Sequence, residues 1–163
     1  MDLSHLAERG VTGSREFVVE RRHTTTVFGE QTDPPGLPAA ADADADEHAH
    51  VLGSPHLLAA CEFVGRESLH GLLPEGSGTV GERADLTHRR PAPEGARLRV
   101  ETVVRAVDGP SVDLDATVSL VGGAAASEPN ATDGARETPD GTVGEVAMTF
   151  RVVERERFRA ALG

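Results

Sequence analysis

The sequence predicts an α+β fold in which an antiparallel sheet wraps around one long helix. Between Leu52 and Leu73, apolar or small residues recur at Leu57, Leu58, Cys61, Val64, Gly65, Ser68, Leu69 and Leu72. That is the spacing of a single helical stripe. Nearly every other periodic segment alternates with a period of two, the mark of strands with one buried face. No second helix of comparable length is available to cover the stripe, so a curled sheet must bury it.

Taken in order, residues 1–14 are polar and are expected to form a flexible arm. Residues 15–28 read as extended, with Phe17, Val18, Val19, Thr24, Thr25, Thr26 and Val27 supplying β-formers. Residues 31–50 hold Pro34, Pro35, Gly36 and Pro38, followed by alanines alternating with Asp42, Asp44 and Asp46. Such a composition buries no core and is expected to be an acidic low-complexity insert. Ser54 then reads as a helix N-cap with Pro55 at the first helical position, where its missing N–H costs nothing. Gly71 and Pro74 are the stop signals.

Four strands follow. In the segment from Thr79 to Arg89, alternation puts Val80, Glu82, Ala84, Leu86 and His88 on one face and Gly81, Arg83, Asp85 and Thr87 on the other. Pro91 to Gly95 forces an irregular bend. Leu98, Val100, Thr102, Val104 and Ala106 form the inward set of the next strand. Asp108-Gly109-Pro110 turns it into a strand whose inward set is Val112, Leu114, Ala116, Val118 and Leu120. A second low-complexity insert covers 122–141. The last strand, Thr142 to Val153, presents Gly144, Val146, Met148, Phe150 and Val152 to the core, and the tail adds a short helical turn. Residues 15–163 are thus expected to be a single domain with inserts at 31–50 and 122–141.

The 163 residues carry a formal charge of −11, and all sixteen basic residues are arginines. An acidic, lysine-free surface resembles that of proteins from salt-adapted, haloarchaeal-type cytoplasms. It argues against nucleic-acid and anionic-membrane partners, both of which select a basic face. The lone Cys61 rules out an intrachain disulfide framework and fits a reducing compartment. With no signal-peptide pattern and no spanning apolar run, the expected location is the cytoplasm.

The element order resembles the hotdog fold, and three motifs sharpen the likeness. Ser54-Pro55 with Glu62 eight residues after Ser54 resembles the helix start of the fluoroacetyl-CoA thioesterase family. Gly81 followed seven residues later by His88 resembles that family's glycine and histidine. His88-Arg89-Arg90-Pro91-Ala92-Pro93-Glu94-Gly95 is similar to its His-x-x-Pro-x-Pro-x-Gly bend. The resemblance covers roughly residues 17–158. It implies thioesterase activity on an acyl-CoA, the CoA thioester being substrate and no further cofactor being needed. It also implies a homodimer or dimer of dimers with the site at the subunit interface. Ser54, Glu62 and His88 are the implied catalytic residues, with the Gly81 N–H facing the oxyanion.

Three departures bear on substrate. The family's Gly-x-Gly-Thr-His-x-Arg reads here from Gly144 to Phe150, so phenylalanine replaces the arginine. Phe150 and the adjacent Arg151 are therefore the candidate substrate-binding residues on the last strand. Serine stands where the best-characterised members have threonine, and the phenylalanines of the pre-helix lid are missing. Specificity for fluoroacetyl-CoA is accordingly not implied. A hotdog module that binds an acyl-CoA or another small metabolite without turnover is the alternative.

The same residues have plainer roles. Glu62 and Arg66 stand four apart, the spacing of a surface ion pair. Cys61, on the apolar stripe, reads as a small core residue. Asp42, Asp44, Asp46, Glu47, His48 and His50 match no closed metal site, so no metal is expected. His23, His56 and His70 have no partner legible in the sequence.

Overall fold

The computed structural model describes residues 2–27, 50–121 and 141–163. The two expected inserts, except for His50 and Gly141 at their ends, lie outside the described residues.

Helix α1 (Ser4–Glu8) leads into strand β1 (Thr12–Val18). A 3-10 turn, Arg21–His23, precedes the short strands β2 (Thr24–Thr26) and β3 (His50–Leu52), which pair with each other. Helix α2 (Ser54–Ser68) follows, then β4 (Ser77–His88), β5 (Arg97–Asp108), β6 (Ser111–Leu120), β7 (Thr142–Glu154) and α3 (Arg155–Ala161). The main sheet has the order β1-β5-β6-β7-β4, all pairs antiparallel. At fifteen residues, α2 is the longest described helix, and it buries Leu57, Cys61, Val64 and Gly65 against that sheet. Gly65 permits this approach: a Cβ there would lie 3.0 Å from Phe150 Cε2 and 3.2 Å from Met148 Cε. Of the expected stripe, Leu57, Cys61, Val64, Gly65 and Leu69 are buried, and Leu58, Ser68 and Leu72 are half-buried.

The expected alternation holds without change on β6, where Val112, Leu114, Ala116 and Val118 are all buried. On β7, Val146, Met148, Phe150 and Val152 are likewise in the core. Among the described residues, three register shifts mark the sheet. The one between Val118 and Ser119 falls at the start of β7, where Val143 is buried beside Gly144. Each of the other two reverses the parity of a strand beyond a bulge. On β5 the register shifts between Val104 and Ala106. Ala106 is therefore exposed, and Val107 takes the inward place opposite Val112. On β4 the shift falls between Gly81 and Arg83. Gly81 pairs with Phe150, Ala84 with Met148, Leu86 with Val146 and His88 with Gly144. Paired residues share a face, so Gly81 joins Ala84, Leu86 and His88 on the core side. Val80 and Glu82, expected there, do not; Glu82 instead pairs with Arg151 at 3.2 Å.

The expected flexible arm is also corrected. Leu3 and Leu6 are fully buried, and β1 already begins at Thr12. The Val11 carbonyl accepts from Val104 N–H at 2.8 Å, and His5 Nε2 meets the Leu72 carbonyl at 3.2 Å. Two leucines three apart suffice to anchor a polar segment once a core is there to receive them. At the other end, the Glu154 carboxylate caps α3 by accepting from the N–H groups of Glu156 and Arg157. No described helix is long and apolar enough to cross a membrane.

Candidate active site

The start of α2 differs from expectation in one chemically useful respect. Gly53, not Ser54, is the N-cap; its carbonyl accepts from the N–H groups of His56 and Leu57. Ser54 is the first helical residue and Pro55 the second, so the serine hydroxyl is released from capping. It meets His88 Nδ1 at 3.0 Å. This contact joins the helix start to the end of β4, thirty-four residues away in sequence.

The other ring nitrogen, His88 Nε2, is buried without a hydrogen-bond partner. A serine hydroxyl that donates to Nδ1 leaves a proton on Nε2, whereas one that accepts from Nδ1–H leaves Nε2 as a base. Burial pushes the imidazole below its ordinary value near 6.5, with a backbone group of Arg90 opposing. The ring is therefore neutral at neutral pH and available for proton transfer.

Eight residues along α2, Glu62 faces the other end of the same strand. A Cβ on Gly81 would stand 2.7 Å from Glu62 Oε1, so the carboxylate occupies the space that a side chain would fill. Only glycine accepts that placement. Glu62 makes no ion pair with Arg66 among the described residues; the salt bridge on this helix joins Glu67 to Arg15 at 2.6 Å. The plainer surface-pair reading of Glu62 is thus not what the fold adopts.

The four candidates form two couples, Ser54 with His88 and Glu62 with Gly81, on facing sides of α2 and β4. The helix rise separates the couples by about 12 Å. Helix and strand run in opposite directions, and the bulge at Glu82 puts Gly81 and His88 on one face despite their odd spacing. Phe150 and Arg151 join neither couple. Phe150 is only 3% exposed and lies in the core beneath Gly65. Arg151 is on the outer face with Glu82.

Burial and the neighbouring Glu62 push the Cys61 thiol up to about 12, which keeps it protonated and inert, a core residue as expected. Among the described residues, no cluster of three or more histidine, cysteine or acidic side chains is placed to hold a metal. Most of the acidic run before α2 lies outside the described residues. His23 and His56, which had no partner legible in the sequence, meet each other with ring centroids 5.5 Å apart.

The family model for the fluoroacetyl-CoA-specific thioesterase, FlK, matches residues 38–124, more than half of the chain and all four candidate positions. The chain belongs to this family. No curated protein matches the sequence. Among solved structures, a hot-dog-like protein from Thermanaerovibrio acidaminovorans is similar with a TM-score of 0.70 at 18% identity, covering 99% of this chain and 95% of that one. A thioesterase superfamily member from Thermus thermophilus gives 0.66 at 17% identity, with 94% and 88% covered. A mutant of the fluoroacetyl-CoA thioesterase FlK in complex with acetyl-CoA gives 0.65 at 20% identity, with 94% of each chain covered. At such identities these likenesses establish the hotdog fold. In this chain, Ser54 and Glu62 lie on α2, and Gly81 and His88 on the edge strand β4.

Proposed function

We propose that this protein hydrolyses the thioester of a short acyl-CoA, with Ser54, Glu62, His88 and the Gly81 N–H as its site. The single observation that carries the reading is the pair of contacts that hold a hydroxyl on an imidazole and a carboxylate on a glycine along one helix–strand seam. Family membership and an acetyl-CoA-bound structural neighbour support the substrate class.

In this reading Glu62 takes a proton from water as the oxygen attacks the thioester carbonyl carbon. The Gly81 N–H receives the oxyanion. The C–S bond breaks, and the CoA thiolate takes the proton that Glu62 removed from water, relayed through the Ser54–His88 couple, giving a carboxylic acid, free CoA and an ionised Glu62. Glu62 acting as the nucleophile, through an acyl-carboxylate anhydride that water then opens, uses the same parts.

The separation of the two couples is resolved by a second copy. β4 is a twelve-residue edge strand with no residue fully buried, and a long open edge is a template for pairing. Antiparallel pairing of β4 with β4 of a second copy, centred near Ala84, sets the Glu62–Gly81 end of one chain beside the Ser54–His88 end of the other. A dimer, or dimer of dimers, is the proposed functional unit. The net charge of −11 opposes the association, so light scattering is expected to show dimer favoured by high salt and loosened at low salt. Full activity from a monomer at every salt concentration would remove the shared site.

Purified protein is expected to release free thiol from a panel of short acyl-CoAs. Binding of CoA esters with no release would instead mark a module that binds without turnover. Gly81→Ala tests the geometry. The added Cβ meets only the mobile end of Glu62, so thermal stability should change by less than about 2 °C. Displacing the carboxylate should nonetheless lower kcat by about tenfold or more. An unchanged kcat would separate Glu62 from Gly81.

A further inference from the structure

The 3-10 turn Arg21–His23 sits against the start of α2, and His23 makes that contact in two ways. Its backbone carbonyl accepts from Gly53 N–H at 2.9 Å, the residue that caps α2 and precedes Ser54. Its ring lies against His56 at 5.5 Å and edge-on to Phe17 at 6.3 Å. The turn itself is closed by the His23 ring, whose Nδ1 accepts from Glu20 N–H at 3.1 Å. Only an imidazole with a bare Nδ1 can accept that bond.

We propose that His23 is a positioning residue for Ser54, docking the start of α2 through its carbonyl and ring, and that a charge on His56 opposes this dock. The proposal rests on the assignment of Ser54 and His88 to the acyl-CoA site.

The surroundings explain why charge is excluded. His56 is the third residue of α2, where the helix N-terminus already presents partial positive charge. Burial, His23 and Arg22 all hold its imidazole below the ordinary value, burial most strongly. Arg15 and Glu16 of β1 line the same groove, about 510 Å³ in volume, together with Arg22, Phe17 and Phe63. The acids nearby are already engaged: Glu16 with Arg99 and Arg97, Glu20 with Arg22, and Glu67 with Arg15. Glu62, also on α2, makes no ion pair among the described residues, but its carboxylate stands over Gly81 of β4, six residues along the helix from His56. A depressed histidine contributes stability above its unfolded value near 6.5 that is lost as pH falls through the folded value. Acidification therefore loosens the turn from α2, and Ser54 moves with the helix start away from His88.

Three measurements test this on the full chain. By histidine NMR, His56 should titrate below 6.5, its unfolded value; titration at or above that value overturns the proposal. Between about pH 7.5 and about pH 5.5, His56→Phe, which keeps a ring but no proton, should lose about 3 °C less in Tm than wild type. An equal loss overturns it. His23→Ala should lower kcat for the best acyl-CoA by about tenfold with KM little changed. His23→Asn, whose amide oxygen still accepts from Glu20 N–H, should restore it. Failure of that rescue overturns the positioning role. If no acyl-CoA releases thiol, the functional assignment fails, while the NMR and Tm measurements still decide the dock. The wild-type titration decides it even where His23→Ala does not fold.

Discussion

Glu62→Gln is expected to lower kcat for thiol release from the best acyl-CoA by about 10²–10⁴-fold. That corresponds to about 2.7–5.5 kcal/mol of lost transition-state stabilisation. The amide keeps the size of the carboxylate and its place over Gly81, but it can neither take a proton from water nor attack the acyl carbon. Since Glu62 makes no ion pair with Arg66 among the described residues, and neither group gains one in the variant, stability should hold to within about 2 °C in Tm. The combination of collapsed turnover with an intact fold distinguishes a chemical role from a structural one. Turnover within about threefold of wild type, measured by thiol release under saturating substrate, would remove Glu62 from the site.

Leu57→Ala is expected to be the most damaging substitution for the fold, costing about 3 kcal/mol and lowering Tm by roughly 6–12 °C. Leu57 is fully buried, and its Cδ1 stands 2.8 Å from the position a Cβ on Gly144 would take. Side chain and glycine are thus matched across the α2–β7 contact, and truncation leaves a cavity that the paired strands around Gly144 close only partly. The residue lies one turn after Ser54, so turnover should fall along with stability, because the helix start loses its seat on the sheet. Calorimetry of the variant provides the check. A loss under about 1 kcal/mol would mean that α2 is not held at this point as described.

Much of the architecture was legible because it depends on periodicity. The stripe from Leu57 to Leu69 and the alternation on β6 and β7 each follow from a local repeat that one core must satisfy, and the structure buries most of those residues. The bulges were not legible. Nothing in Gly81-Glu82-Arg83 announces an extra residue, since a bulge is settled by how β4 meets β7 rather than by the local sequence. That one residue decided whether Gly81 faced Glu62 or solvent. The arm failed for a related reason: Leu3 and Leu6 are sparse among polar neighbours, and only the presence of a core surface makes them anchors.

By itself, the sequence determined the α+β class, the apolar stripe of α2 and the acidic charge, and it named four positions as candidates for a site. Each is a matter of residue type, spacing or summed charge, which survive any arrangement in space. The tertiary structure alone decided that Gly53 caps α2 and thereby frees Ser54 for His88, that Glu62 stands over Gly81 rather than pairing with Arg66, and that Phe150 is core. It also decided that His23 and His56 meet. These contacts join residues distant along the chain, or choose between partners of equal local merit. Such choices are made by the packing of α2 against the sheet and its neighbouring turn, which no short stretch of sequence contains.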